Sequence, residues 1–218
     1  MSSRNSSASF DPKCQRCPRI VVFLRDGKHE YPTYHCAPVS QFGDPNARLI
    51  IVGLAPGFHG ANATGRPFTG DYAGILLYET LFKFGLASAA QSIARDDGLM
   101  LINARITNAV KCVPPQNKPL PTEISNCNQY LQNELAALTR TTVVLALGTI
   151  AHNAVLRAFQ LRLAAYKFAH GAEHVLPSKH ILIDSYHCSR YNTNTRRLTV
   201  TMFHQVFAQA VHQLQHLV

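Results

Sequence analysis

Three groups of residues in this 218-residue chain have types and spacings suited to chemistry. The first is a set of cysteines: Cys14 and Cys17 form a Cys-x2-Cys pair, and Cys112 and Cys127 are separated by fourteen residues. Four thiolates can serve one centre. Soft sulfur ligands select zinc or an iron–sulfur cluster, and the ligand set alone leaves both open. Arg16, Arg19 and Lys111 lie beside these cysteines and help to hold thiolates deprotonated. The bland alternative is a set of ordinary buried thiols. Cys36 and Cys188 have no partner at ligand spacing, and Cys36 is expected to be structural.

The second group runs from Ala55 to Asp71 and is rich in glycine, which lets backbone N–H groups approach a ligand closely. It lacks the Gly-Lys-Ser/Thr and G-x-G-x-x-G spacings of nucleotide-phosphate loops. Asp71 reads first as a helix N-cap, a role compatible with chemistry as well. The third group runs from Ser185 to Thr193. There His187 can act as an electrophile or proton donor, Ser189 and Arg190 can hold phosphate, and Tyr191 can stack on bases or wedge between them.

Positioning these groups requires a frame. Four apolar runs carry a strand signal: residues 48–54, 98–103, 142–147 and 180–184. Helical patterns lie between them at 72–86, 122–138 with Thr122 as N-cap, 149–168 and 199–217. Continuous apolar strands alternating with helices predict a three-layer α/β/α sandwich around a mainly parallel, four-stranded sheet. Such sheets bind ligands beyond their strand C-terminal ends, where the second and third groups fall. Residues 1–12 are Ser-rich and read as a disordered tail, and residues 13–218 as one domain.

Twenty-one Lys and Arg against twelve Asp and Glu give a net charge of +9, which favours nucleic acid as partner. With no long apolar run and a polar start, the chain reads as intracellular, in the cytoplasm or nucleoid, and as a monomer without a membrane role. Two other classes compete. A non-catalytic nucleic-acid binder with structural zinc explains the charge and cysteines but not the two strand-end loops. A zinc nucleobase deaminase needs a His-x-Glu with Pro-Cys-x-x-Cys, which the chain lacks.

Taken together, these motifs resemble the uracil-DNA glycosylase superfamily, and specifically its family 5, the type B branch with an iron–sulfur cluster. Gly53-Leu54-Ala55-Pro56-Gly57 through Gly65-Arg66-Pro67-Phe68-Thr69-Gly70-Asp71 looks like the first motif of that family. The cysteine spacing is similar to the cluster ligation of families 4 and 5, which implies a four-iron, four-sulfur cluster rather than zinc. The last motif departs from the family pattern: His187-Cys188-Ser189 stands where His-Pro-Ser is usual. Position 55 is Ala, and position 54 Leu, where other branches carry the water-activating carboxylate; having neither is similar to family 5.

The resemblance implies a monofunctional enzyme that flips uracil, and other deaminated bases such as hypoxanthine, out of DNA and hydrolyses the N-glycosidic bond, leaving an abasic site. It implies that Phe68 stacks on the base, that backbone near Gly53, Ala55 and Gly57 lines its pocket, and that Asn108 reads its edge. His187 would stabilise the departing base. Asp71 is the first choice to activate water, Asn117 the second and His59, otherwise a pocket residue, the third. DNA contacts are expected from Arg66, Ser189, Arg190, Tyr191 and Asn192.

Overall fold

The computed structural model describes residues 10–217. Its centre is a six-stranded sheet in the order β1-β3-β2-β4-β6-β5. The inner strands are β2 (Leu49–Gly53), β3 (Ala104–Asn108), β4 (Val143–Leu147) and β6 (Ile181–Ser185), all mutually parallel. Short antiparallel strands, β1 (Phe42–Gly43) and β5 (Glu173–Val175), close the two edges. The expected four parallel strands thus form the centre, and the edge pair escapes a pattern search because each strand is three residues or fewer.

Alternate residues of β2, β4 and β6 serve different cores. Leu49 and Ile51 join Leu145 and Leu147 on one face, beneath α3 (Tyr72–Lys83) and α7 (Val200–His216). Ile50 and Val52 join Val144 and Ala146 on the other, beneath α4 (Pro121–Ala136) and α5 (Thr149–Ala158). A strand buried on both faces has no polar side, so its sequence is a continuous apolar run. The result is the three-layer sandwich.

The second strand lies at 104–108 rather than 98–103. Leu99 and Leu101 are buried while Met100 and Ile102 are exposed, and this run makes only an isolated bridge, Leu101 to Ala87. The true strand, Ala-Arg-Ile-Thr-Asn, is fully buried although three of its five residues are polar. Arg105 donates to the Asp44 and Pro45 carbonyls, and Thr107 to Glu134, so partners elsewhere offset burial and mask the apolar signal.

Helix α4 starts one residue earlier than predicted, with Pro121 in its first turn, Leu120 at the N-cap and the Glu123 carboxylate accepting from the Leu120 N–H at 2.7 Å. The pattern over 149–168 overran: α5 ends at Ala158, and Gln160 takes a left-handed φ of +59°. Helix α1 (Pro18–Glu30), absent from the sequence reading, packs Ile20 and Leu24 against Val110, Val113 and Ile124. Of the expected tail, residues 1–9 lie outside the described residues. Phe10 meets the Tyr130 ring edge-on at 6.0 Å, and Asp11 accepts from the Lys13 N–H.

Candidate active site

A cleft of about 500 Å³ opens at the C-terminal ends of β2, β4 and β6. The chain leaves β2 one way, through α3 to β3, and later adds β4 on the opposite side, so the cleft sits where the strand order reverses. Leu54, Ala55 and Gly57 follow β2, Gly148, Thr149 and Ile150 follow β4, and His187, Ser189 and Arg190 follow β6. The β4 segment was missed in the sequence. It carries no titratable group, but the strand-end rule alone would have marked it.

The loop from Leu54 to Asp71 is rigidly built. After the short helix α2 (Ala61–Thr64), Gly65 closes its end at φ +75°, and the Pro67 carbonyl accepts from the Tyr78 hydroxyl at 2.8 Å. These ties hold Phe68 at φ +54°, a conformation costly for a bulky residue. A Cβ on Gly74 would stand 1.8 Å from the Phe68 carbonyl oxygen, so the first turn of α3 can pass the strained residue only as glycine. The Phe68 ring lies near-parallel to the His187 ring, 25° off with centroids 6.0 Å apart.

Asn108, the last residue of β3, is 2% exposed, and its Oδ1 has no hydrogen-bond partner among the described residues. It lies beside the Phe68 ring across Gly53: a Cβ there would stand 2.4 Å from Asn108 Oδ1 and 2.6 Å from the ring. A buried acceptor without a donor costs free energy unless a ligand supplies one.

Asp71 caps α3, its Oδ1 accepting from the Gly74 N–H at 2.8 Å. Its other oxygen, Oδ2, lies over Gly57 and Gly60 on the cleft side. Burial raises its pKa above the usual carboxylate value, against the pull of the Gly74 and Ala73 N–H groups. The loop at Asn117 reaches the cleft rim from the other side, with Gln116 and Asn117 both at positive φ. Burial lowers the His187 pKa to about 4, so its ring is neutral at physiological pH and can donate one N–H.

Around the rim, Ser189 caps the short helix α6 (Arg190–Asn194), and the Arg190 guanidinium lies 4.9 Å from the Tyr72 ring centroid. Tyr191 is 71% exposed. Asn192 instead turns inward, donating to the His187 carbonyl at 2.8 Å and holding that turn closed.

Two expected site residues stand elsewhere. Arg66 is buried, not free for phosphate: it binds Asp97 at 2.6 Å and Ser92 at 3.0 Å, and its guanidinium covers the Phe42 ring. His59 is exposed and joins Tyr31, Tyr34 and Phe58 in an aromatic group, its Nδ1 2.9 Å from the Tyr34 hydroxyl. It lines no part of the cleft.

On the far side of the loops, Cys14, Cys17, Cys112 and Cys127 all line one small cavity. The Cys127 sulfur accepts from the Lys111 N–H at 3.2 Å. Burial pushes the Cys127 thiol up to about 11 and raises Cys112 further, the neighbouring sulfurs adding to the effect. Among the described residues no three of these sulfurs come within 4.8 Å of one another. Four thiols lining one cavity form a donor set that could hold one soft-metal centre. Cys36 stays outside the set beside Asn62, and Cys188 is a buried thiol donating to the Ala73 carbonyl.

Residues 40–215 match the family model described as the uracil DNA glycosylase superfamily. Curated relatives include the type-5 uracil-DNA glycosylase of Thermus thermophilus, 46% identical over 90% of this chain and 92% of its own. That of Pyrobaculum aerophilum is 43% identical over 90% and 87%, and that of Mycobacterium tuberculosis 38% over 90% and 76%. The cleft at the switch point, the loop after β2 and the His187 turn are therefore those of a chain that belongs to the uracil DNA glycosylase superfamily, on its type-5 branch.

Proposed function

We propose that this protein is a monofunctional uracil-DNA glycosylase of base excision repair and that the cleft at the ends of β2, β4 and β6 is where the base is cut away. The observation that carries the assignment of roles is Asn108 Oδ1, without a partner among the described residues and packed beside the Phe68 ring just behind the cleft lining, where a flipped base stacked on Phe68 would bring it a donor. A flipped uracil carries an N3–H that satisfies this acceptor, and the Asn108 amide nitrogen can donate to O4. Phe68 supplies the stacking face, and Gly57 and Ala55 leave room for the ring.

Breaking the N1–C1′ bond leaves the electron pair on uracil and positive charge on the sugar. Neutral His187 donates to O2 of the departing base, and in a desolvated cleft such a donor is worth far more than in water. Asp71 Oδ2 holds the water that attacks C1′ and takes its proton, while Asn117 orients that water from the rim. Arg190 and Ser189 meet phosphate, and Tyr191 stacks on a neighbouring base.

Cys14, Cys17, Cys112 and Cys127 would hold a [4Fe–4S] cluster. Its chemistry here is a covalent tie between the N-terminal segment and the 112–127 loop, and no redox step is assigned to it. With no carboxylate at position 55, discrimination falls on leaving-group stabilisation and ease of flipping, which admits hypoxanthine and favours mispairs.

Incubation with oligonucleotides carrying uracil or hypoxanthine opposite each partner, followed by alkali, tests this reading. The expected result is uracil excised fastest, hypoxanthine more slowly, mispairs ahead of A-paired sites, and no strand break without alkali. Intact oligonucleotide after alkali would refute the glycosylase reading. Equal rates opposite A and G with no excision of hypoxanthine would refute the breadth.

A further inference from the structure

His152, His174 and Asp184 lie outside the cleft lining but behind two of its walls. Asp184 is the fourth residue of β6, three before His187. His152 is in the first turn of α5, two residues after Ile150 of the cleft, and His174 is the middle residue of β5, paired with Leu182. Asp184 is fully buried and His152 is 1% exposed.

The His152 ring is bonded at both ends. Its Nδ1 lies 2.7 Å from Asp184 Oδ1, and its Nε2 lies 3.0 Å from the Tyr166 carbonyl oxygen. A carboxylate and a carbonyl only accept, so both ring nitrogens must carry protons. Neutral imidazole has one N–H and would set a lone pair against one acceptor, at a site buried from bulk solvent. A proton shared between a carboxylate and an imidazole rests on the imidazole, the stronger base by about two pKa units. The 2.7 Å separation also favours a proton between them over a metal ion, whose two ligand atoms in tetrahedral geometry would stand roughly 3.3 Å apart at bond lengths near 2.0 Å.

We propose that His152 is a buried imidazolium, charged at neutral pH, that positions the walls of the cleft and whose deprotonation makes excision fail at alkaline pH. The positioning part rests on the reading of the cleft given above. The proton joins three segments: the end of β6 that feeds His187, the first turn of α5 that carries Thr149 and Ile150, and the stretch 166–172. That stretch returns to the site, since His170 stacks on Tyr186 at 5.0 Å and accepts from its N–H at 3.1 Å, and the Gly171 N–H donates to the Asp184 carbonyl. Loss of the proton leaves one hydrogen bond where two stood and loosens the first turn of α5 against the other two segments, which the backbone bonds at Gly171 and Ala172 still join.

The groups facing His152 are Asp184 from β6, His174 from β5, and the Tyr166 carbonyl and Phe168 ring from the intervening stretch. His174 Nε2 lies 3.4 Å from Asp184 Oδ2 and can add a second donor to the carboxylate. Burial opposes the charge on His152, but Asp184 and the Tyr166 carbonyl outweigh it and raise the pKa. A histidine whose folded pKa is raised contributes stability that is complete below its unfolded value of about 6.5 and is lost as pH rises through the folded value.

The test is side-chain NMR of the full chain labelled with ¹⁵N-histidine at pH 7.5, where a free histidine is roughly nine-tenths neutral. The expected result is two bonded protons on one imidazole, both absent in His152→Gln. A singly protonated His152 overturns the proposal, and so does uptake of Zn²⁺ that displaces the Nδ1 proton and leaves only Nε2–H. In a second arm, Asp184→Asn should slow single-turnover excision about 10- to 100-fold. DNA affinity should hold within about twofold, and the alkaline fall of both rate and Tm should vanish. An unchanged alkaline limb in Asp184→Asn overturns the positioning role. The NMR arm needs no substrate, so failure of the glycosylase reading would show separately, as absent excision with His152 still doubly protonated.

Discussion

Gly53→Ala adds one methyl group at the end of β2 and nothing else. The backbone there is not in the left-handed region, so alanine meets no conformational strain. The new Cβ, however, would stand 2.4 Å from Asn108 Oδ1 and 2.6 Å from the Phe68 ring. Ordinary contact begins near 3.4 Å, so Asn108 must retreat by about 1 Å and Phe68 by about 0.8 Å. Overpacking of this kind costs about 1–3 kcal/mol, a loss a domain with a typical 5–15 kcal/mol survives. A misplacement of about 1 Å in groups that hold the reacting base costs roughly 100-fold in rate. Single-turnover excision from a uracil oligonucleotide with enzyme in excess, beside circular dichroism and a thermal melt, separates the two effects. On an Asn108→Ala background, where one clash is gone, the same glycine change should cost clearly less. A folded Gly53→Ala protein that excises within about twofold of the wild-type rate would refute the account of the pocket.

His187→Ala should lose about 2.7–4 kcal/mol of transition-state stabilisation, roughly 100- to 1,000-fold in single-turnover rate, with DNA affinity retained in a gel-shift titration. Because burial raises the Asp71 pKa, the acid limb of the pH–rate profile should lie above the ordinary carboxylate value of 3.8, and Asp71→Asn should abolish that limb together with most of the activity. Replacing Cys14, Cys17, Cys112 or Cys127 by Ala should remove iron in metal analysis and lower Tm, while Cys36→Ala should keep both. Although burial opposes ionisation of Asp97, Arg66 and the Leu99, Ile93 and Ala94 N–H groups bring its carboxyl down to about 2. Arg66→Ala, which leaves the exposed Asp97 able to be solvated, should therefore cost about 1.5–3 kcal/mol by denaturant titration, as loss of hydrogen bonds to a charged group does, with the salt slope of DNA binding unchanged.

What the sequence made legible follows from where its signals are local. Strands β2 and β4 announce themselves because burial on both faces strips them of polar residues, and Asp71 because a capping side chain acts on the N–H three residues on. Strand β3 was placed early because Arg105, Thr107 and Asn108 find partners or purpose only in the folded chain. The same blindness explains Arg66, whose partner Asp97 lies 31 positions away and turns a presumed phosphate ligand into a brace. His59 failed for a different reason: being in the right loop does not fix direction, and the turn before α2 points it at Tyr34. The ion pair of His152 with Asp184 joins residues 32 positions apart and left no trace in the pattern.

The strand order carries a consequence for synthesis. Strand β2 takes β3 on one side and β4 on the other, and the register pairs Leu49 with Ala104 and with Val143. On a ribosome adding about 5–20 residues per second, the 94 positions between Leu49 and Val143 take roughly 5–20 s. For that interval one edge of the apolar strand β2 has no partner, and Leu49, Ile51, Ile50 and Val52 lack both of their finished cores. Unpaired apolar edges seed intermolecular pairing. During synthesis that waiting edge is where pairing between nascent copies is expected to begin.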